Sequence, residues 1–368
     1  MTPRETALRA LSFEEIGRVP VAGGLMQHVP FMAGVLGISE AQWWEAPRAN
    51  LFAACREIGC HAILGPVMPK QHDATTTDAQ GRPTDFTHRA KRPDMLTTPE
   101  EVAEYARNAP SPEQVRARFD AAEAEAEYRR RTVDTAREAG EMLVIPHILG
   151  WAPRFPTSDS EFSYEAFLMA CALHTEDMAR LFRSWGETSR LRFEAVARVV
   201  ERHDLPRIAW IGQDICERNG SVLSPALLER LYFPQLEYAI EPLKCAGMKV
   251  IWHSDANYRE ILPMLVTLGI DGVQGLYESP RGMRLEEVAA IRTPAGNPLI
   301  IFGSVSTHLV LPQGSVEDVE AAVDRCIDIA RGRGGVLIAP SSSIGPEVPP
   351  QNIAVMYRRV QERNAEVG

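Results

Sequence analysis

One apolar run that ends in polar residues stands out: Lys249-Val250-Ile251-Trp252-His253-Ser254-Asp255-Ala256-Asn257. A short apolar run rich in β-branched residues is typical of a parallel strand that is buried on both faces. We therefore predict a strand over Lys249–His253. His253, Asp255 and Asn257 then lie together at its carboxyl end.

Seven similar runs occur along the chain, and each is short, apolar and bounded by glycine or proline. They are Arg18–Ala22, His61–Gly65, Met142–Leu149, Arg207–Asp214, Gly272–Leu276, Leu299–Gly303 and Gly335–Ala339. Eight strands alternating with helical segments form either a closed barrel or an open doubly wound sheet. No glycine-rich phosphate loop follows the first strand, which removes the usual sign of a dinucleotide-binding sheet. We predict an α/β fold, a (β/α)8 TIM barrel that residues 1–368 form as a single domain.

The interval between the second and third strands is too long for one βα unit. It holds a polar loop, Gln71–Arg82, a helix that starts at Thr98-Pro99, and a longer helix from Ser111-Pro112 to about Glu138. Its apolar content is low. We therefore predict that residues 66–141 form a helical insertion packed on the barrel rather than an independent domain.

Several other helix ends are readable from single residues. Ser224 before Pro225 predicts a helix start, because a capping hydroxyl precedes a proline at the first helical position. Ser315, followed by acidic residues in the first turn, predicts the start of a second helix. That helix is expected to stop at Gly332 or Gly334.

The composition excludes several classes of protein. A net charge of −10 argues against a nucleic-acid-binding surface, and the basic run Arg129-Arg130-Arg131 is best explained as a solvated helix face. No run of 18 apolar residues predicts a membrane span. The six cysteines have no CxxC spacing and are expected to be reduced. The N-terminus lacks a basic segment followed by an apolar one, so we expect a cytoplasmic protein.

The candidate site follows from the barrel, because the residues just beyond the strand carboxyl ends face the substrate in this fold. The polar residues at these positions are Gln27, His28, His147, Gln213, Asp214, His253, Asp255, Asn257, Tyr277, Glu278 and Ser342 within Ser341–Ser343. We predict His253, Asp255, Asp214 and Glu278 as catalytic and the remainder as substrate-binding. An imidazole beside a carboxylate can act as an acid or base, or can bind a divalent metal.

Each candidate also has a purely structural explanation. Asp255 could cap the following helix while His253 makes one hydrogen bond. Asp214 could form an internal ion pair with Arg218. Glu278 could likewise form a structural ion pair. His147 could be a hydrogen-bonded core histidine. Ser341–Ser343 could either hold an anion through its backbone amides or cap the last helix.

With these residues considered together, the C-terminal half, about residues 205–365, resembles the uroporphyrinogen decarboxylase superfamily. Three stretches carry the resemblance: Gly212-Gln213-Asp214 with Ser224-Pro225, then His253-Ser254-Asp255, then Gly334–Pro340 leading to Pro349-Pro350-Gln351-Asn352-Ile353. The superfamily comprises eight-stranded barrels. It includes the decarboxylase and the corrinoid-linked methyltransferases of the methylcobalamin:coenzyme M type. The resemblance also implies a homodimer.

Two departures from the family pattern narrow the implied activity. The decarboxylases carry two substrate-binding arginines after the first strand, whereas this chain has Leu25-Met26-Gln27-His28-Val29-Pro30 there. The methyltransferases bind zinc through His-x-Cys and a distant cysteine. Here His253 keeps the histidine position, while Asp255 and Ser341–Ser343 stand where the thiols would be. The thiolate-rich zinc site is therefore lost, although His253 and Asp255 could still take part in a metal site.

The resemblance leads to one expected function and two alternatives. We expect methyl transfer between a small-molecule donor and a corrinoid or tetrahydrofolate-type carrier, with a small corrinoid protein as a possible partner. The first alternative is a cofactor-free decarboxylase or lyase acting on a smaller carboxylate than a porphyrinogen. The second is a non-catalytic barrel that serves as the partner of a corrinoid protein.

Overall fold

The computed structural model describes residues 1–14, 17–69, 95–156, 161–279 and 282–367. Its ten strands are β1 (Ala22–Gly23), β2 (Ala62–Gly65), β3 (Leu143–Pro146), β4 (Ile208–Gly212), β5 (Cys216–Glu217), β6 (Gly220–Ser221), β7 (Lys249–Ala256), β8 (Gly272–Leu276), β9 (Ile300–Phe302) and β10 (Val336–Leu337). All eight predicted strands are present. The structure adds only the short β5–β6 hairpin, which is antiparallel and follows β4.

Seventeen α-helices occur among the described residues. They are α1 (Pro3–Leu11), α2 (Val29–Leu36), α3 (Glu40–Glu45), α4 (Pro47–Glu57), α5 (Pro99–Arg107), α6 (Pro112–Arg118), α7 (Ala121–Arg129), α8 (Thr135–Ala139), α9 (Tyr164–Leu173), α10 (Thr175–His203), α11 (Pro225–Leu231), α12 (Phe233–Cys245), α13 (Leu262–Thr267), α14 (Leu285–Ala290), α15 (Val310–Gln313), α16 (Val316–Arg333) and α17 (Pro350–Ala365). A π-helical turn spans Arg130–Asp134, and a 3-10 turn spans Leu149–Trp151.

The predicted helix starts are confirmed. Thr98, Ser111, Ser224 and Ser315 each accept a hydrogen bond from the third residue of the helix that follows. The helix that begins after Ser315 ends with Gly334 as its C-cap, in the left-handed region at φ 66°. Local side-chain chemistry therefore fixes these boundaries.

The prediction of one long helix from Ser111 to about Glu138 is wrong. The chain is extended at Phe119, and Asp120 Oδ1 accepts a hydrogen bond from the amide of Glu123 at 3.0 Å. Aspartate at this position satisfies a free amide at the start of α7, so the helix restarts there rather than continuing.

The chain forms two compact units. The first comprises Met1–Asp85, Arg130–His147 and Gly272–Gly368, and the second comprises Phe86–Arg129 and Ile148–Asp271. The predicted single domain and the packing of residues 66–141 as one insertion both remain predictions. Helices α5–α8 do lie between β2 and β3 in the chain, whereas the predicted polar loop Gln71–Arg82 lies outside the described residues.

In the first unit, six parallel strands form a continuous array. The strand β2 pairs with β1 and β3, and β9 pairs with β8 and β10. A parallel bridge between Val21 and Ile338 joins β1–β3 to β8–β10, and the amide of Ala22 donates to the carbonyl of Ile338 at 2.7 Å. All six are almost wholly buried, which explains their apolar sequences.

In the second unit, β4 and β7 pair in parallel with Gly212 opposite His253. The long helix α10 packs against α12 and against α5, α6 and α7. An aromatic cluster fills the core of this unit: Phe155, Phe162, Phe167, Phe182, Trp185 and Tyr232. The protein is thus an α/β protein built on parallel strands, while closure of all eight strands into a barrel remains a prediction.

Candidate functional site

The run Lys249–Asn257 forms β7 and the residue that follows it, and β7 pairs with β4 up to Gly212 and His253. A Cβ atom added to Gly212 would overlap the main chain of His253 and would lie only 2.7 Å from its amide nitrogen. The absence of a side chain at Gly212 therefore permits this close approach of β4 to β7. It fixes the backbone from which the imidazole of His253 projects.

His253 and Asp255 lie on the same face of β7, because side chains two residues apart in a strand point the same way. His253 Nε2 is 3.6 Å from Asp255 Oδ1, and the imidazole is 12% exposed while the carboxylate is 37% exposed. The indole of Trp210 packs edge-on against the imidazole, with ring centroids 5.7 Å apart. A shielded imidazole thus stands beside a carboxylate that water can reach.

The capping alternative for Asp255 is wrong. The strand β7 continues to Ala256, three residues past its predicted end at His253 and one residue past Asp255. The next helix, α13, has Ile261 at its N-cap and no side-chain cap. Asp255 is therefore a strand residue, and its carboxylate is not used to start a helix.

The other second-unit candidates occupy the rim of the same strand ends. Gln213 donates from Nε2 to the carbonyl of Leu149 at 3.3 Å, which ties β4 to the 3-10 turn. Asn257 accepts through Oδ1 from the amide of Arg259 at 3.3 Å. Asp214 is exposed rather than buried. An exposed carboxylate does not need an internal partner, and a catalytic role for Asp214 remains a prediction.

Three residues near these carboxylates were not predicted from the sequence: Tyr164, Cys216 and Tyr258. Burial raises the pKa of Cys216 to about 12, with Asp214 and Glu260 adding to the effect. Burial also raises the pKa of Tyr164 to about 12, with further contributions from nearby carboxylates including Asp214. Tyr258 is fully buried, and its hydroxyl has no hydrogen-bond partner among the described residues. All three are neutral near pH 7, so they are hydrogen-bonding groups rather than charges.

In the first unit, Gln27 and His28 follow β1. Gln27 Nε2 lies 3.5 Å from Ser343 Oγ, which connects the strand ends of β1 and β10. His28 is buried, and its Nδ1 accepts from the amide of Phe31 at 3.0 Å, so it caps α2. Burial lowers the pKa of His28. A neutral capping histidine is the structural role that the geometry assigns, and substrate binding by His28 remains a prediction.

Glu278 lies next to Arg325, a partner that sequence analysis did not identify. The guanidinium Nη2 of Arg325 is 2.6 Å from both carboxylate oxygens of Glu278, and the amide of Leu285 donates to Oε1 at 3.0 Å. The carboxylate therefore connects the end of β8 to α14 and α16. This is the ion pair that the sequence left open, and a catalytic role for Glu278 remains a prediction.

The end of β9 also supplies residues that the sequence analysis omitted. The ring of His308 lies 5.2 Å from that of Tyr277, and Ser341 Oγ accepts from the amide of Thr307 at 3.0 Å. Gln274 Nε2 donates to the carbonyl of Ser341 at 3.0 Å. The polar run Ser304-Val305-Ser306-Thr307-His308 directly follows a predicted strand and could have been recognised by the same rule as the others.

The structure also bears on the expectations for Ser341–Ser343, His147 and Arg131. The last helix, α17, has no side-chain cap, so capping by Ser341–Ser343 is wrong. Ser342 is half-buried beside this network. His147 is half-buried at the end of β3, and its carbonyl accepts from Arg131 Nη1 at 2.7 Å. Arg131 is thus directed at a strand end, in contrast to its expected place on a solvated face, while Arg129 and Arg130 are exposed.

The donor groups of the described residues do not make up a zinc site. Zinc sites in proteins use three or four protein ligands. Among the residues that the structure describes, His, Cys, Asp and Glu side chains nowhere come together in a group of three that could hold a metal ion. His253 and Asp255 supply two donors, fewer than a zinc site needs.

Comparison with known proteins agrees with this α/β architecture. Residues 213–363 match the family model of uroporphyrinogen decarboxylase (URO-D), a span that includes β7 with His253 and Asp255. The resemblance to the uroporphyrinogen decarboxylase superfamily is thereby confirmed over the C-terminal part of the chain. No curated protein sequence gives a match.

A solved structure shows the likeness over the full length. The chain is similar to a methyltransferase from Methanosarcina mazei, with a TM-score of 0.58 and 17% identity, covering 98% of this chain and 99% of that chain. At this identity the similarity concerns the fold alone. No helix of the described residues is long and apolar enough to cross a membrane.

Proposed function

We propose that this protein transfers a methyl group between a small-molecule donor and a corrinoid or tetrahydrofolate-type carrier. The observation that supports the proposal is the His253–Asp255 pair at the carboxyl end of β7, with its shielded imidazole and solvent-reachable carboxylate. Methyl transfer is chosen among the reactions of a histidine–carboxylate pair by analogy with the methyltransferase of similar fold.

The pair would act by moving one proton. When the methyl group leaves the donor, its heteroatom keeps the electron pair of the broken carbon–heteroatom bond, and the carrier supplies the pair for the new bond. His253 would donate a proton to that heteroatom as the bond breaks, so the product leaves neutral. Asp255 would stabilise the imidazolium before transfer, and its exposure lets solvent return the proton afterwards.

The reaction can be tested directly. The purified protein would be incubated with a panel of methylated amines, methyl thioethers and methoxy compounds, each with cob(I)alamin or tetrahydrofolate. We expect one donor class to produce methylcobalamin, seen by its absorbance, or methyltetrahydrofolate, seen by mass spectrometry. Folded protein that methylates neither carrier from any donor class would contradict the proposal.

A second candidate is favoured by the family match over residues 213–363, namely decarboxylation of a small carboxylic acid. His253 would then protonate the carbanion left by the departing carbon dioxide. Release of labelled carbon dioxide without any carrier would identify this reaction. Capture of a small cobalamin-binding protein by the tagged chain would favour methyl transfer instead.

The resemblance also supports a homodimer, and the cytoplasm remains the expected compartment. Light scattering at micromolar concentration tests the dimer, and a purely monomeric protein would count against it.

A further inference from the structure

The first unit contains a cavity far from the strand carboxyl ends. It has a volume of about 360 Å³, and its walls include Phe13, Val19, Arg331, Arg333 and Val336. Val19 precedes β1 and Arg333 precedes β10, so the cavity lies at the amino-terminal ends of these strands. The residues proposed to act on the methyl donor follow strands at their carboxyl ends. This cavity is therefore not part of the site described above.

Two arginines in the cavity wall have unused hydrogen-bond donors. Nε of Arg331 and both Nε and Nη1 of Arg333 are buried without a hydrogen-bond partner among the described residues. Each guanidinium makes one backbone contact, Arg331 to the carbonyl of Arg363 at 2.6 Å and Arg333 to the carbonyl of Leu299. Buried donors in folded proteins are almost always paired, so these three call for an acceptor.

The charges around the cavity are also unbalanced. Burial lowers the pKa of Arg333 to about 10, and the nearby Arg292 adds repulsion. Among the described residues, Glu14 is the one carboxylate in the cavity wall, and it is paired with Arg9 at 2.6 Å. A buried guanidinium without a carboxylate partner is unfavourable unless something anionic neutralises it. Among the described residues, Arg333 thus has one backbone acceptor for Nη2 but no acceptor for Nε or Nη1 and no carboxylate partner.

We propose that this cavity binds the oxyanion group, phosphate or carboxylate, of a small molecule. A guanidinium donates charge-assisted hydrogen bonds to the oxygens of such a group, and Nη1 and Nε of Arg333 are donors that no described residue uses. Arg331 supplies a further donor from the same wall. The volume exceeds that of a bare phosphate ion, so an organic phosphate or carboxylate fits.

The site is tested by calorimetric titration with inorganic phosphate and, separately, with acetate, at constant ionic strength. We expect saturable binding of at least one of them. Arg333→Met keeps an unbranched apolar stem but removes the guanidinium with its donors and charge. It should weaken binding by roughly tenfold or more, as loss of a charge-assisted pair of hydrogen bonds does. Arg331→Met should weaken binding too, and it serves if the first variant does not fold.

Arg358→Met is the matched control. Arg358 lies on α17, outside the cavity wall, and its removal changes the net charge by the same amount. Binding should be unchanged in this variant. Without added anion, Arg333→Met should also unfold at a temperature equal to or above that of the unaltered protein, because an unneutralised buried charge is gone. Failure of both anions to bind, equal binding in Arg333→Met, or equal loss in Arg358→Met would overturn the proposal.

Discussion

The acid stability of the first unit should depend on one histidine at the start of its sheet. His61 lies just before β2, and burial together with the positive charge of Arg18 lowers its pKa from 6.5 to about 4. Its Nδ1 faces the amide of Val21 at 3.4 Å, and its carbonyl accepts from the amide of Leu143 at 2.9 Å. Protonation of His61 would therefore place a second positive charge near Arg18. The protonated Nδ1 would also face the amide N–H of Val21, which is a donor and not an acceptor.

The sign and size of the effect follow from linkage. Because the folded pKa lies below the unfolded one, the stability that depends on a neutral His61 is full above about pH 6.5. It is lost as the pH falls towards about 4. Between about pH 7 and about pH 4.5 the loss attributable to His61 is about 2 kcal/mol, since one pKa unit corresponds to about 1.4 kcal/mol.

Urea unfolding followed by circular dichroism at both pH values measures this contribution. His61→Gln keeps a hydrogen-bonding side chain that does not titrate, so its loss of unfolding free energy on acidification should be smaller by about 2 kcal/mol. The control is His203→Gln, because the imidazole of His203 is exposed at the end of α10. An identical acid loss in His61→Gln and the unaltered protein would refute the reasoning.

Three further predictions concern the candidate site. Gly212→Ala should lower both stability and turnover, because the added methyl group overlaps the main chain of His253 and must displace β7; normal values of both would show that the close approach is not required. Glu278→Gln and Arg325→Gln should each destabilise by about 1–2 kcal/mol, since each breaks one partly exposed pair; if Glu278 is catalytic as predicted, Glu278→Gln alone should also lose turnover, and equal turnover in the two variants would make the carboxylate structural. Uroporphyrinogen should not be decarboxylated, because the substrate-binding arginines of that family are absent after β1; coproporphyrinogen formation at about one turnover per second would contradict this.

The strands could be predicted from the sequence because their apolar runs are local signals. The run Lys249–His253 is an example, and even there the structure extends the strand to Ala256. A strand predicted from hydrophobicity ends at the first polar residues. In the folded chain, backbone pairing can extend the strand through those polar residues. The same limit explains why Asp255 could be mistaken for a helix cap.

Partners distant in sequence could not be predicted. Arg325 is 47 residues from Glu278, and the two meet only in the folded chain. The β5–β6 hairpin after Asp214 is too short to leave a pattern in the sequence. Arg333 appears in the sequence as an ordinary residue of the last helical turn, and its unpaired donors become visible only in the folded chain.

The central claim is that the His253–Asp255 pair moves the proton of the reaction. Turnover of the methyl donor and the unfolding temperature should be measured together for His253→Ala and Asp255→Asn, with His203→Ala as the control. We expect His253→Ala to lose about 10²–10⁴-fold in turnover, the usual contribution of general acid–base catalysis, while its unfolding temperature stays close to that of the control. Asp255→Asn should lose less, because the imidazole remains. Near-normal turnover in a destabilised His253→Ala protein would contradict the account and make His253 a structural residue.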